Sequence, residues 1–153
     1  MGNCGQIVVA DLGKRLSFIN PSPEARRALL NKVKTIAVVG LSPKVDRPSY
    51  VVAKAMQGFG FRIVPVRPAT AEVLGEKAYA RLADIPFPVD LVDVFRAPEY
   101  VDAIVDECLA LKIPALWIQE GIVNEQAAQR AQQAGMTVVM DRCIYKDYLE
   151  QCL

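Results

Sequence analysis

No histidine occurs anywhere in the 153 residues. That removes the commonest general base, the usual Ser–His–Asp arrangement and most transition-metal sites, because imidazole serves all three near neutral pH. Cysteine is scarce as well. Cys4, Cys108, Cys143 and Cys152 show neither CxxC spacing nor the density of a disulfide scaffold, which predicts reduced thiols and a cytoplasmic chain. No apolar run reaches the roughly 18 residues of a membrane span. In the opening MGNCGQ, Gln6 stands where a myristoylation signal needs Ser or Thr, and no long apolar region of a secretory leader follows. Neither charge sign dominates: 18 basic against 17 acidic side chains leave a net charge of +1, so no global field recruits nucleic acid or an anionic membrane. Two phosphate-binding fingerprints, G-x-G-x-x-G and G-x-x-x-x-G-K-[ST], are missing too.

What is present reads as one folded unit. Hydrophobic residues make up 52% and charged residues 23%, the balance of an ordinary globular domain long enough to bury a core. Residues 1–20 stand apart: QIVVAD and RLSFIN flank LGK, which reads as a small hairpin turning at Gly13 or as an arm without regular structure. From Pro21 to the end the pattern is regular. SPEARRALLNK predicts a helix with Ser22 as N-cap and Pro23 at its first position. TIAVV, FRIVPV, VDLVDVF, ALWI and TVVM predict five strands. Helices are expected between them, from Pro48 to about Gln57, from Pro98, from Asn124 to Gly135, and finally from about Tyr145. Strands this apolar are buried on both faces, so the expected fold is a doubly wound α/β domain with a mainly parallel five-stranded sheet. The connection PATAEVLGEKAYARLADIP is long for such a fold and is expected to line a site.

Ligands of open parallel sheets bind beyond the carboxyl ends of the strands. Those ends carry Gly40, Leu41 and Ser42, then Arg67 in PVRP, then Phe95 and Arg96, then Gln119, Glu120 and Gly121, and finally DRC. After the first strand, Gly40 permits a sharp turn into a helix whose free N–H groups and positive dipole end favour an anion, with Ser42 and Ser49 as further donors. Equally, Gly40 reads as a plain turn glycine and Ser49 as part of a helix cap. The second strand discriminates between ligands. NAD needs Asp or Glu there for its ribose hydroxyls, whereas Arg67 suits a ribose carrying a phosphate, as in NADP or coenzyme A.

Several blocks together, VGLSPKVDRPSYVVAKAM, GFRIVPVRP, VLGEKAYARLADIP, VDLVDVFRAPE and LWIQEGIVNEQAAQRAQQAGMTVVMDRC, resemble the small stand-alone CoA-binding proteins. Those are Rossmann-like domains similar to the CoA-binding domain of the succinyl-CoA synthetase alpha subunit, and the resemblance runs from about Leu29 to Cys143. It implies coenzyme A or an acyl-CoA as the ligand. Gly40, Leu41, Ser42, Arg47 and Ser49 would cradle the diphosphate, and Val66, Arg67 and Pro68 would flank the adenosine. Phe95 and Arg96 would form one wall, and Gln119, Gly121 and Ile122 would close the pocket. The family more often has Asn in the position of Arg67, and the arm before Pro21 lies outside its pattern. The catalytic histidine of the synthetases lies outside this domain.

Three functions are therefore weighed: a CoA-binding module without chemistry of its own, an NADP-dependent reductase, and a nucleotide-binding interaction subunit, with a protein partner or a homodimer open in each case. Tyr145 and Lys146 are adjacent in a helix and share no face, so they supply no reductase pair. Trp117 reads as core or as facing ligand, and Cys143 as a core-capping residue or as a thiol activated by Arg142. Glu99, Asp102, Asp106 and Glu107 read as a solvated helix face, and Glu120 as an exposed loop acid or a pocket carboxylate.

Overall fold

The computed structural model describes residues 17–153. Helix α1 (Pro23–Lys32) leads into β1 (Thr35–Val39), then α2 (Pro48–Gly58) and β2 (Arg62–Val66). A two-residue hairpin, β3 (Glu72–Val73) and β4 (Glu76–Lys77), follows within the long connection. After it come β5 (Leu91–Val94), α3 (Val101–Ala110), β6 (Ala115–Ile118), α4 (Glu125–Gln133), β7 (Thr137–Met140) and α5 (Ile144–Cys152). Single turns of 3-10 helix at Leu82–Asp84 and Pro98–Tyr100 precede β5 and α3.

The five main strands form one parallel sheet in the order β2-β1-β5-β6-β7. The doubly wound α/β architecture expected from the sequence is the one found. Its chemistry is set by alternation along each strand. Val92 and Val94 of β5, with Leu116 and Ile118 of β6, face α3 and α4. Leu91, Ala115 and Trp117 face α1, α2 and α5. The stripe Val101, Ile104, Val105 and Cys108 seals the first layer, and Ala127, Ala128 and Ala131 bring α4 close against it. Leu30, Val52, Met56 and Ile144 seal the second.

The helix ends follow their local chemistry. Ser22 Oγ accepts from the Ala25 N–H, and Asn124 Oδ1 accepts from the Ala127 N–H. Gly60 (φ 104°) and Gly135 (φ 102°) close α2 and α4 in the left-handed region. The hairpin reading around Gly13 lies, as far as it rests on residues 1–16, outside the described residues, and Ser17–Asn20 form no strand. Asn20 instead meets the edge strand. Its side-chain amide donates to the Met140 carbonyl (2.9 Å), and its Oδ1 accepts from the Met140 N–H (2.8 Å), which satisfies part of the open edge of β7.

Candidate functional site

Strand order reverses between β1 and β5, since the chain passes from β1 outward to β2 and returns to β5 on the other side. The crevice of a doubly wound sheet opens at that point. Gly40, which follows β1, sits in it with φ 88°. A Cβ on Gly40 would lie 2.4 Å from the Phe95 carbonyl oxygen and 3.0 Å from Arg96 Cδ. Its N–H donates to the Val66 carbonyl (2.9 Å), and the Phe95 N–H donates to the Val39 carbonyl (2.9 Å). Gly40 therefore lets the ends of β2, β1 and β5 converge without a side chain between them.

Two hollows meet at Gly40. The first, about 320 Å³, is lined by Ser42, Lys44, Arg47, Pro48, Ser49, Arg67 and Phe95. The second is a slot of about 180 Å³ between the long connection and α3, lined by Val39, Val66, Pro68, Arg81, Leu82, Arg96, Tyr100, Ile104 and Glu107 among others. Together they are of the size of ordinary small-molecule sites, about 300–1,000 Å³.

The first hollow gathers cations and an open helix start. Helix α2 begins in it with Arg47 as an N-cap that makes no side-chain capping bond, and no acid stands in its first turn. Every other α-helix among the described residues has an acid there: Glu24, Asp102, Glu125 and Asp147. No carboxylate within its first turn offsets the positive end of α2. The Ser42 N–H donates to Ser49 Oγ (3.0 Å), and the Lys44 N–H donates to Ser42 Oγ (3.1 Å). Both hydroxyl oxygens are engaged as acceptors, which leaves their protons for an incoming acceptor. Among the described residues, Lys44, Arg47 and Arg67 make no ion pair.

A family model described as a CoA binding domain matches residues 34–148. The chain belongs to that family. The Bacillus subtilis protein YneT is 46% identical over 125 residues, covering 82% of this chain and 93% of YneT. The ADP-forming acetate–CoA ligase II of Archaeoglobus fulgidus is 29% identical over 131 residues, which is 82% of this chain but 19% of the ligase. The chain therefore spans about a fifth of that ligase and is homologous to its CoA-binding part. A solved protein of Pyrococcus horikoshii superposes with a TM-score of 0.82 at 32% identity, covering 86% of this chain and 92% of its own. The resemblance drawn from the sequence blocks is thus confirmed at the level of family and fold.

Of the positions that the CoA-binding resemblance singled out, the structure gathers nine at the two hollows: Gly40, Ser42, Arg47, Ser49, Val66, Arg67, Pro68, Phe95 and Arg96. Four lie elsewhere. The Leu41 side chain is fully buried in the core under α2. Gln119 is buried as well, its Nε2 donating to Asp93 Oδ1 (2.6 Å). Gly121 donates its N–H to Asp141 Oδ1 (2.7 Å), and Ile122 packs against the α3–α4 layer. These two belong to a turn that ties the ends of β6 and β7, outside both hollows. Asp93 itself is buried in mid-sheet, and burial raises its carboxyl to about 7, against the opposing effect of the Gln119 bond.

Sequence reasoning missed Lys44, Arg81, Tyr100 and Glu107. The Arg96 guanidinium stacks 4.1 Å over the Tyr100 ring at the mouth of the slot. Glu107 departs from the solvated face on which it was expected: Asp102 and Asp106 do face outward and pair with Arg130, but Glu107 is half-buried and lines the slot. The spacing Tyr100, Ala103, Ile104, Glu107 is one helical stripe, a signal that was legible once the helix start was known. Other expectations resolve simply. Trp117 is core, fully buried, with Nε1 donating to the Arg142 carbonyl (2.8 Å). Glu120 is an exposed acid paired with Lys146 (3.0 Å). Cys143 is the half-buried N-cap of α5, packed on the core beside it, and the Arg142 guanidinium is held by Asp147 (2.7 Å) and Glu150 (3.6 Å). No helix among the described residues is long and apolar enough to cross a membrane.

Proposed function

We propose that this chain binds coenzyme A or an acyl-CoA at the β1/β5 crevice, with the diphosphate at the start of α2 and the adenosine in the adjoining slot. The observation that carries this reading is the N-terminus of α2, without an acid in its first turn and ringed by Lys44, Arg47 and Arg67, which make no ion pair among the described residues, next to a largely apolar slot. Cations that make no ion pair among the described residues, beside free N–H donors, suit a ligand with several phosphates. The slot's Val39, Val66, Leu82 and Ile104 suit a flat base. Ser42 and Ser49 donate to the diphosphate, Arg47 neutralises it, and Arg67 takes the phosphate on the ribose. Membership of the CoA-binding family supports the choice of ligand.

Phosphate on the ribose is also a feature of NADP, so the deciding experiment compares the two. Titration calorimetry at fixed salt is expected to rank CoA above dephospho-CoA, NADP and NAD. Equal or tighter binding of NADP overturns the CoA reading in favour of a reductase. A charge-assisted bond contributes roughly 1.5–3 kcal/mol, so Arg67→Ala is expected to weaken CoA about 10- to 100-fold and dephospho-CoA much less. Equal losses for both ligands would move Arg67 from the ribose phosphate to the diphosphate.

A further inference from the structure

The far end of the slot carries a charge that its walls do not explain. Tyr100, Ala103, Ile104 and Glu107 line it as one stripe of α3. Over seven residues a helix advances about 10 Å. Helix α3 runs back from the crevice, so Tyr100 and Arg96 mark the mouth and Glu107 the inner end. Between them the walls are Val39, Val66, Leu82 and Ile104. Among the described residues, the Glu107 carboxylate makes no hydrogen bond and no ion pair, although the residue is half-buried. The other charged side chain on that side, Arg81, is tied to Asp84 (3.3 Å). A half-buried carboxylate is an acceptor only, and with Arg81 paired to Asp84 and Arg96 stacked on Tyr100 it lacks a partner that a ligand can supply.

We infer that Glu107 is a specificity-determining residue, which accepts a hydrogen bond from the exocyclic amino group of an adenine seated in the slot. This rests on the reading of the slot as the adenosine site and adds to it a named contact that selects the base. The Arg96–Tyr100 stack flanks the base at the mouth, and the aliphatic walls hold its faces. A purine without a donor at that edge leaves the carboxylate buried and unpaired, and that cost is the source of the selectivity.

The test compares CoA with a CoA analogue whose base is unsubstituted purine, which has neither the amino group nor any N–H at the same edge. Titration calorimetry on the wild-type chain is expected to show the analogue about 10- to 100-fold weaker. Glu107→Ala is expected to bring the two ligands within a few-fold of each other, by weakening CoA and sparing the analogue. The ratio of ratios is the readout, because a substitution that merely loosened the slot would weaken both ligands alike. Wild-type chain binding both ligands equally overturns the role of Glu107 while leaving the CoA reading intact. So does discrimination that persists in Glu107→Ala. Failure of the wild-type chain to bind CoA at all overturns the CoA reading itself. Thermal unfolding of Glu107→Ala near the wild-type value, expected for a side chain without partners, certifies the fold in each arm.

Discussion

Gly40 shows how one residue answers to two demands. Its φ of 88° lies where a side chain costs roughly 1–2 kcal/mol, and the Cβ position lies 2.4 Å from the Phe95 carbonyl oxygen, which is backbone and cannot swing aside. Gly40→Ala therefore has to part the ends of β1 and β5, an overpacking cost of about 1–3 kcal/mol more. Urea unfolding is expected to show the sum of the two with an unchanged slope. Binding should suffer beyond the stability loss, because both hollows share Gly40. A variant as stable as the wild type would mean that the strand ends are less firmly joined than the geometry shows. Ser49 is a second single-residue test. Ser49→Asp places a carboxylate in the first turn of α2, where no acid stands now, among Lys44, Arg47 and Arg67. It is expected to stabilise the helix end by about 0.3–1 kcal/mol while abolishing CoA binding in calorimetry, since the new charge occupies the place proposed for the phosphate.

At the scale of elements, the layer of α1 and α5 is fastened by charge as well as by apolar contact. Asp147 is buried and takes Arg26 Nε at 2.7 Å and Arg142 at 2.7 Å, so one carboxylate joins the start of α5 to α1 and to the end of β7. Removing it strands the buried Arg26 guanidinium. Asp147→Ala is expected to cost about 3–5 kcal/mol in urea unfolding, and a loss below about 1 kcal/mol would show that water re-solvates Arg26 freely. Elements of this kind were legible in the sequence to different degrees. The five main strands were plain because each is an apolar run bounded by turn residues, and the caps at Ser22 and Asn124 were plain because the capping side chains stand at the right spacing. The β3–β4 hairpin was not. It turns through Leu74 (φ 55°) and Gly75 (φ 75°), and leucine is an unusual residue for a left-handed turn position, so LG carries little of the signal that Asn-Gly would. The proposed anion site was half legible. Gly40, Arg47 and Arg67 could be placed from strand ends, whereas the absence of ion pairs at Lys44, Arg47 and Arg67 among the described residues depends on side-chain placement, since Asp46 stands between two of them in the chain. Gln119 and Leu41 were placed at the strand ends correctly, but alternation along β6 and after β1 turns their side chains inward, and register decides that.

At the scale of the whole molecule, the sheet carries a titratable group between its two helical layers, and that couples global stability to pH. Asp93 lies in β5 opposite Val38 and Trp117, on the face covered by α1, α2 and α5. Burial raises its carboxyl from 3.8 to about 7. Between those values the folded chain holds a proton that the unfolded chain releases. The proton-linked contribution to stability is therefore complete below about pH 4, declines as pH rises, and is gone above about pH 7. Each unit of such a shift corresponds to about 1.4 kcal/mol, so the swing amounts to a few kcal/mol at most. Asp93→Asn isolates it. Asparagine keeps an oxygen to accept from Gln119 Nε2 and cannot ionise. The ion pairs of Asp147 with Arg26 and Arg142 are common to both proteins and cancel in the difference. The variant is expected to gain stability relative to wild type as pH is raised from 4 to 7, and to run parallel to it above about 7.5. Curves that stay parallel throughout would mean that Asp93 remains ionised when folded, held by its bond to Gln119 more strongly than burial disfavours the charge. A gap that widens toward low pH would reverse the sign and place the carboxylate among the groups that stabilise the fold by being charged.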